Sequence, residues 1–147
     1  MSKEINDYIL ELEKLIDEAH KTGDKYVFID PAYDIMDALE ELENPFEAVK
    51  PILQLIERSP YIDYGGPGPL GSFLEKFYHK DSNVSYEDLL LESLQRKPTN
   101  YTIFLLNRLC RVKDNPDSSR YVKAIKAYAN SDCVDEFWKE AIRSIEE

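Results

Sequence analysis

Glycine, cysteine and histidine are scarce in this sequence, and long apolar runs are missing. The 147 residues include five glycines, two cysteines and two histidines. The two cysteines are too few for a disulfide scaffold and form no CxxC pair, and neither histidine has another ligand at metal-binding spacing. No apolar run approaches the ~20 residues that span a bilayer, and the polar, acidic N-terminus is unlike a targeting peptide. We therefore expect a cytoplasmic protein with no cofactor and no metal.

Basic residues are scarce in the first third of the chain. Residues 1–47 contain 14 acids and 4 bases, a net charge of −10, whereas residues 48–147 contain 15 acids and 14 bases. Such a field repels nucleic acid and anionic membranes, and attracts a basic partner over about 8 Å at physiological salt. An acidic surface also serves solubility alone, and that interpretation stays open. The concentration of charge in one region favours a docking face.

Apolar residues at helical spacing are abundant. They predict a first helix that ends near residue 20. Asp30 followed by Pro31 is typical of an N-cap and a first helical residue, and Asn44 followed by Pro45 repeats the signal. Pro51 predicts a kink or break near residue 49 in the helix that follows.

The same signals continue through the rest of the chain. Pro69 can begin a helix that ends near residue 79. Four more helices are expected after capping signals at Ser85, Thr99, Asn115 with Pro116, and Ser131. The sequence thus predicts one all-α domain of residues 1–147 with seven to eight helices. Their short connections predict antiparallel pairs.

One segment, YIDYGGPGPLG at residues 61–71, interrupts the helical pattern with four of the five glycines and two of the eight prolines. Such a backbone predicts a turn or loop that displays Tyr61, Asp63 and Tyr64. No Lys and Ser/Thr pair follows as in a P-loop, which argues against phosphate binding. The segment is interpreted as a rigid connector or, alternatively, a binding loop, because tyrosine is favoured at interfaces.

An acidic stripe lies on one face of the second predicted helix. Its four members step at i, i+4, i+7 and i+11: Asp30, Asp34, Asp37 and Glu41. Tyr33 and Glu40 flank the stripe. Like charges at these spacings cost a few tenths of a kcal/mol per pair, and a basic partner would relieve that cost.

The segment DSNVSYEDLLLE at residues 81–92 resembles a calcium-binding EF-hand loop in its acidic and polar positions. Tyr86 stands where that loop needs glycine, and Leu89 offers no side-chain oxygen. A helix cap at Ser85 explains the same residues without metal. No catalytic motif is present anywhere, so we expect no enzymatic activity.

Three segments carry a family resemblance: DYGGPGPL at 63–70, FLE at 73–75 and NYTIFLLNR at 100–108. They resemble small all-helical immunity proteins of bacterial polymorphic-toxin systems, including contact-dependent growth inhibition. The resemblance covers roughly residues 30–113. It implies a HEAT-like helical array that binds a cognate toxin domain, often a basic nuclease, and blocks its active site or substrate path.

The resemblance does not fix the toxin-binding surface, so the predicted contacts follow from charge and exposure alone. They are Asp30, Tyr33, Asp34, Asp37, Glu40, Glu41, Tyr61, Asp63 and Tyr64. The alternative function is a helical adaptor or regulatory module that binds a basic peptide or protein. Neither function involves nucleic acid or membrane as the partner.

Overall fold

The computed structural model describes residues 4–78, 86–111, 118–127 and 136. Within these ranges the regular elements are all helical: α1 (Ile5–Thr22), α2 (Tyr26–Glu40), a 3-10 helix (Pro45–Ala48), α3 (Val49–Arg58), α4 (Gly68–Glu75), α5 (Tyr86–Arg96), α6 (Asn100–Cys110) and α7 (Ser118–Ala127). The prediction of an all-α fold is confirmed. The capping signals predicted at Ser85, Asn115 with Pro116, and Ser131 lie outside the described residues. The HEAT-like arrangement, the antiparallel pairing and the single domain stay predictions.

The chain divides into two compact units, Met1–Leu89 and Leu90–Glu147, with the boundary inside α5. In the first unit α2 packs on α1 and α4, and α1 also packs on α3. The apolar face of α1 packs into this core. Its buried residues recur at the helical spacing predicted from the sequence: Ile9, Leu12, Ile16 and Ala19. The first unit contains every residue of the predicted partner-binding set.

The start of α2 differs from the prediction. The helix begins at Tyr26, not at Pro31, and Pro31 lies inside it. Phe28 and Ile29 are buried on the same face as the later apolar residues of the helix. Burying two such side chains is worth about 3–6 kcal/mol together, which offsets the roughly 3 kcal/mol that an interior proline costs.

A different aspartate satisfies the first turn of α2. The backbone N–H of Tyr26 donates to Oδ1 of Asp24 at 3.0 Å, so the capping role predicted for Asp30 is wrong. Asp30 is instead an exposed residue within the helix. Its carboxylate is therefore available at the surface along with the rest of the stripe.

The predicted break near residue 49 is confirmed. The 3-10 helix ends at Ala48 and α3 begins at Val49. Pro51 falls in the first turn of α3, where a backbone N–H has no partner within the helix and its loss costs little. Five apolar residues of α3 are then buried: Val49, Ile52, Leu53, Leu55 and Ile56.

In the second unit, Thr99 caps α6 as the sequence predicted. The backbone N–H of Thr102 donates to Oγ1 of Thr99 at 3.1 Å, and the N–H of Thr99 donates to Oγ1 of Thr102 at 3.1 Å. Both threonines are fully buried, so this reciprocal capping box satisfies backbone donors that would be costly to leave unpaired.

Helix α6 packs on α7. Burial raises the pKa of the Cys110 thiol from 9.0 to about 11, so the thiol stays protonated near neutral pH.

Candidate interaction surface

The acidic stripe lies on the outer surface of α2. Its members Asp30, Asp34, Asp37 and Glu41 are all exposed. None of the four forms an ion pair with another described residue. The helical rise separates the first and last members by about 16 Å. The structure therefore presents these four predicted residues together, as one row of exposed carboxylates.

The charges of α2 oppose its helix dipole. The helix has no acid in its first turn and no base in its last turn, whereas Asp37, Glu40 and Glu41 lie at its C-terminal end. Negative charge is stabilising at a helix N-terminus and destabilising at the C-terminus, by about 0.3–1 kcal/mol per charge at low salt. Stability of the isolated helix does not explain this arrangement, and a basic partner would relieve it.

Two exposed tyrosines share the stripe's face of α2. Tyr33 is 45% exposed and Tyr26 is 56% exposed. Tyr26 is absent from the predicted set because the sequence signals placed the start of this helix at Asp30 and Pro31, after Tyr26. Its spacing of i−4 from Asp30 and i−7 from Tyr33 is the helical signal that would have placed it here. The stripe is thus a mixed acidic and aromatic surface.

Glu40 differs from the stripe beside it. Its Oε1 accepts from the ammonium of Lys76, which follows α4 directly in the chain. The pair links two elements that pack against each other. Much of the charge of Glu40 is therefore already compensated within the first unit, and its contact with a partner stays a prediction.

Asp63 organises the loop before α4. One carboxylate oxygen accepts from Nζ of Lys25 at 3.2 Å, and the other accepts from the backbone N–H of Gly65 at 2.9 Å. The hydrogen bond to Asp63 and its charge raise the pKa of Lys25. Tyr61 is 52% exposed, and its ring centroid lies 4.4 Å from that of His20. Both carboxylate oxygens of Asp63 thus accept a hydrogen bond within the first unit, whereas more than half of Tyr61 is exposed to a partner.

The expectation that Tyr64 is displayed is wrong. Tyr64 is 1% exposed, its ring meets Phe28 edge-on at 5.5 Å, and its hydroxyl donates to the carbonyl of Ser59. The ring fills the core beneath the loop, while the hydroxyl satisfies a carbonyl at the C-cap of α3. In this conformation Tyr64 supports the loop from inside and is not a surface contact.

Two glycines of the loop adopt left-handed backbone angles but differ in their surroundings. Gly65 has φ +96°, and a Cβ there would lie 2.8 Å from Cα of Gly68; Gly68 has φ +74° and open space around it. Both substitutions carry the left-handed cost of about 1–2 kcal/mol, and Gly65→Ala adds a backbone clash of about 1–3 kcal/mol. We expect urea unfolding to show a clearly larger loss for Gly65→Ala than for Gly68→Ala. Equal losses would contradict the close approach of the two backbones.

Two further features of the described ranges concern metal binding and membrane insertion. Within them no group of three or more His, Cys, Asp and Glu side chains is placed to hold a metal ion. Residues 81–85 of the EF-hand-like segment lie outside those ranges. Of the helices described, none is long and apolar enough to cross a bilayer.

Comparison of the chain with protein-family models, with curated proteins and with solved structures finds no match. Any assignment of function therefore rests on the residues described above.

Proposed function

We propose that this chain is an immunity protein, which binds and neutralises a cognate toxin domain with a basic surface, a nuclease being the best fit. One observation carries the proposal: four exposed carboxylates follow about 16 Å of α2 without a basic partner among the described residues. The family resemblance of the loop and of α6 points the same way.

Charge complementarity explains how such a surface finds its partner. Nucleases bind anionic phosphates through basic clefts, and a row of carboxylates offers the same sign of charge at the protein surface. Opposite charges steer two proteins together and raise the association rate well above the 10⁵–10⁶ M⁻¹s⁻¹ of neutral pairs. The same charges exclude acidic proteins and nucleic acid from the site.

The tyrosines supply the binding energy that exposed charges alone do not. Exposed ion pairs in water are worth about 0–1 kcal/mol each, too little for long-lived inhibition. Tyr26 and Tyr33 lie on the same face as the carboxylates, and tyrosine is among the residues that dominate binding energy once buried. In the proposed complex the carboxylates set the association rate and the tyrosines set the dissociation rate.

The test is co-expression with the protein encoded by the gene next to this chain's gene, where the proposal places the toxin. We expect the two proteins to co-purify as an equimolar complex and the chain to restore growth of cells that produce the toxin. Co-purification without restored growth would contradict neutralisation and favour the helical adaptor instead. Absence of any complex would contradict both functions for that partner.

A further inference from the structure

A groove runs between the N-terminal half of α1 and α3, on a part of the first unit that the acidic stripe does not occupy. Two cavities of ≈470 Å³ and ≈400 Å³ form it, and both are lined by Asn6 and Pro51. We call it the α1–α3 groove. Cavities of about 300–1,000 Å³ are the size at which proteins hold ligands and partner side chains.

The groove has an exposed apolar side chain on its α1 wall. Leu10 is 54% exposed, and it is the one large aliphatic residue so exposed among the described residues. Ile5, Leu42 and Pro51 add partly buried apolar surface to the lining. A partner that covered Leu10 would remove this apolar area from water, which is favourable.

The charge of the groove selects a basic occupant. Among the described residues, its lining contains four carboxylates and a single guanidinium, that of Arg58. Arg58 is already paired with Glu13 at 2.7 Å, which links α3 to α1. Glu43 and Glu47 form no ion pair with any described residue. A negative rim beside an apolar wall disfavours phosphate-bearing ligands and complements a cationic, amphipathic one.

The dimensions suit two turns of a helix. On α1 the lining extends from Asn6 to Glu13, and on α3 from Pro51 to Arg58. Each wall is thus about 10 Å long by the helical rise. An amphipathic helix that docks in a groove uses anchors at i, i+3 or i+4, and i+7, which cover the same length.

We propose that the α1–α3 groove binds a basic amphipathic α-helix of a protein partner. The apolar face of that helix packs on Leu10 and Pro51, and its basic residues face Glu43 and Glu47. The proposal rests on the proposed function only in taking the toxin to be the natural source of the helix. It gives that partner a second contact, separate from the acidic stripe.

A fluorescein-labelled amphipathic peptide of leucine and lysine, about four helical turns long, is the probe, and binding is followed by anisotropy. We expect Leu10→Gln to weaken binding about tenfold or more, because it removes the apolar anchor without changing charge. We expect Glu43→Gln with Glu47→Gln to weaken it by about fivefold and to reduce its salt dependence. The matched control is Asp17→Asn with Glu18→Gln, two exposed acids of α1 outside the groove, which should stay within about twofold of the unmodified chain.

Three results would overturn the proposal. They are absence of binding to the unmodified chain, equal affinity of the Leu10→Gln variant, and equal losses in the rim and control variants. Sedimentation velocity adds a fourth: conversion of a dimer to a monomer by Leu10→Gln would make a second copy of this chain the occupant. Because Leu10 is exposed, its replacement should leave the fold intact. An unchanged thermal unfolding temperature of the variant verifies this. The assay contains no toxin, so its failure and the failure of growth rescue are separate results.

Discussion

Reversing Asp34 and Asp37 to lysine is expected to slow association with the toxin domain by about 10- to 100-fold at low salt. Both carboxylates lie in the middle of the acidic stripe, are exposed, and form no ion pair with another described residue. Their reversal interrupts the row of negative charge that steers the encounter. The rate of the unmodified chain should fall steeply with salt, whereas that of the double variant should be nearly flat. Stopped-flow mixing from 20 mM to 1 M salt measures both.

The fold of that variant should survive, because the exchange relieves repulsion within α2. The new lysine at position 34 would face Asp30 at i+4, an orientation worth a few tenths of a kcal/mol. The unfolding temperature should therefore stay the same or rise. Asp17→Lys with Glu18→Lys is the control: it changes the net charge equally but lies on α1. If both double variants slow association alike, net charge rather than the stripe steers the encounter, and unchanged rates in both would reject steering altogether.

Truncating Tyr64 to alanine is expected to lower the free energy of unfolding by about 3–5 kcal/mol, the range found for large aromatic residues in cores. The ring is buried against Phe28, and its hydroxyl satisfies the carbonyl of Ser59. Tyr61→Ala should cost less than about 1 kcal/mol, because more than half of that side chain is exposed. Urea unfolding followed by circular dichroism measures both losses.

A milder variant tests the same geometry if the alanine variant fails to fold. Tyr64→Phe keeps the ring but leaves the buried carbonyl of Ser59 without this donor, for an expected loss of about 1–3 kcal/mol. In binding assays the order of the two effects should reverse. Tyr61→Ala should speed dissociation of a partner that touches the loop, because Tyr61 is the exposed one of the two tyrosines. A Tyr64→Phe variant as stable as the unmodified chain would contradict the buried hydrogen bond.

Local signals in the sequence predicted most helices, because a helix cap or a helix break depends on only a few neighbouring residues. The cap at Thr99 is a contact across three residues, and the break at Val49 follows from two nearby prolines. The predicted start of α2 was wrong because tertiary burial overrode a local signal. Pro31 is a strong local signal, but the burial of Phe28 and Ile29 is set by the tertiary fold and prevails over it.

The burial of Tyr64 beneath the loop and the α1–α3 groove depend on contacts that no local rule supplies. A glycine-rich composition predicts the loop correctly, but it does not reveal that the core beneath needs the ring of Tyr64. Likewise Glu40 meets Lys76 across 36 positions, and Glu13 meets Arg58 across 45. The acidic stripe was predictable because it lies within one helix. The α1–α3 groove was not, because its walls come from separate segments.

The glycine-rich segment at residues 61–71 has the composition of a flexible linker, yet Tyr64 and the start of α4 anchor it in the core. Tyr64, Gly68, Pro69 and Leu70 are all buried. A protease binds its substrate as several residues of extended chain, so cleavage here would require these groups to leave the interior first. Exposed loop tips are the usual sites of proteolytic nicking, whereas this segment should resist it until the first unit unfolds. Cleavage within it would then report unfolding of the unit rather than local motion of a loop.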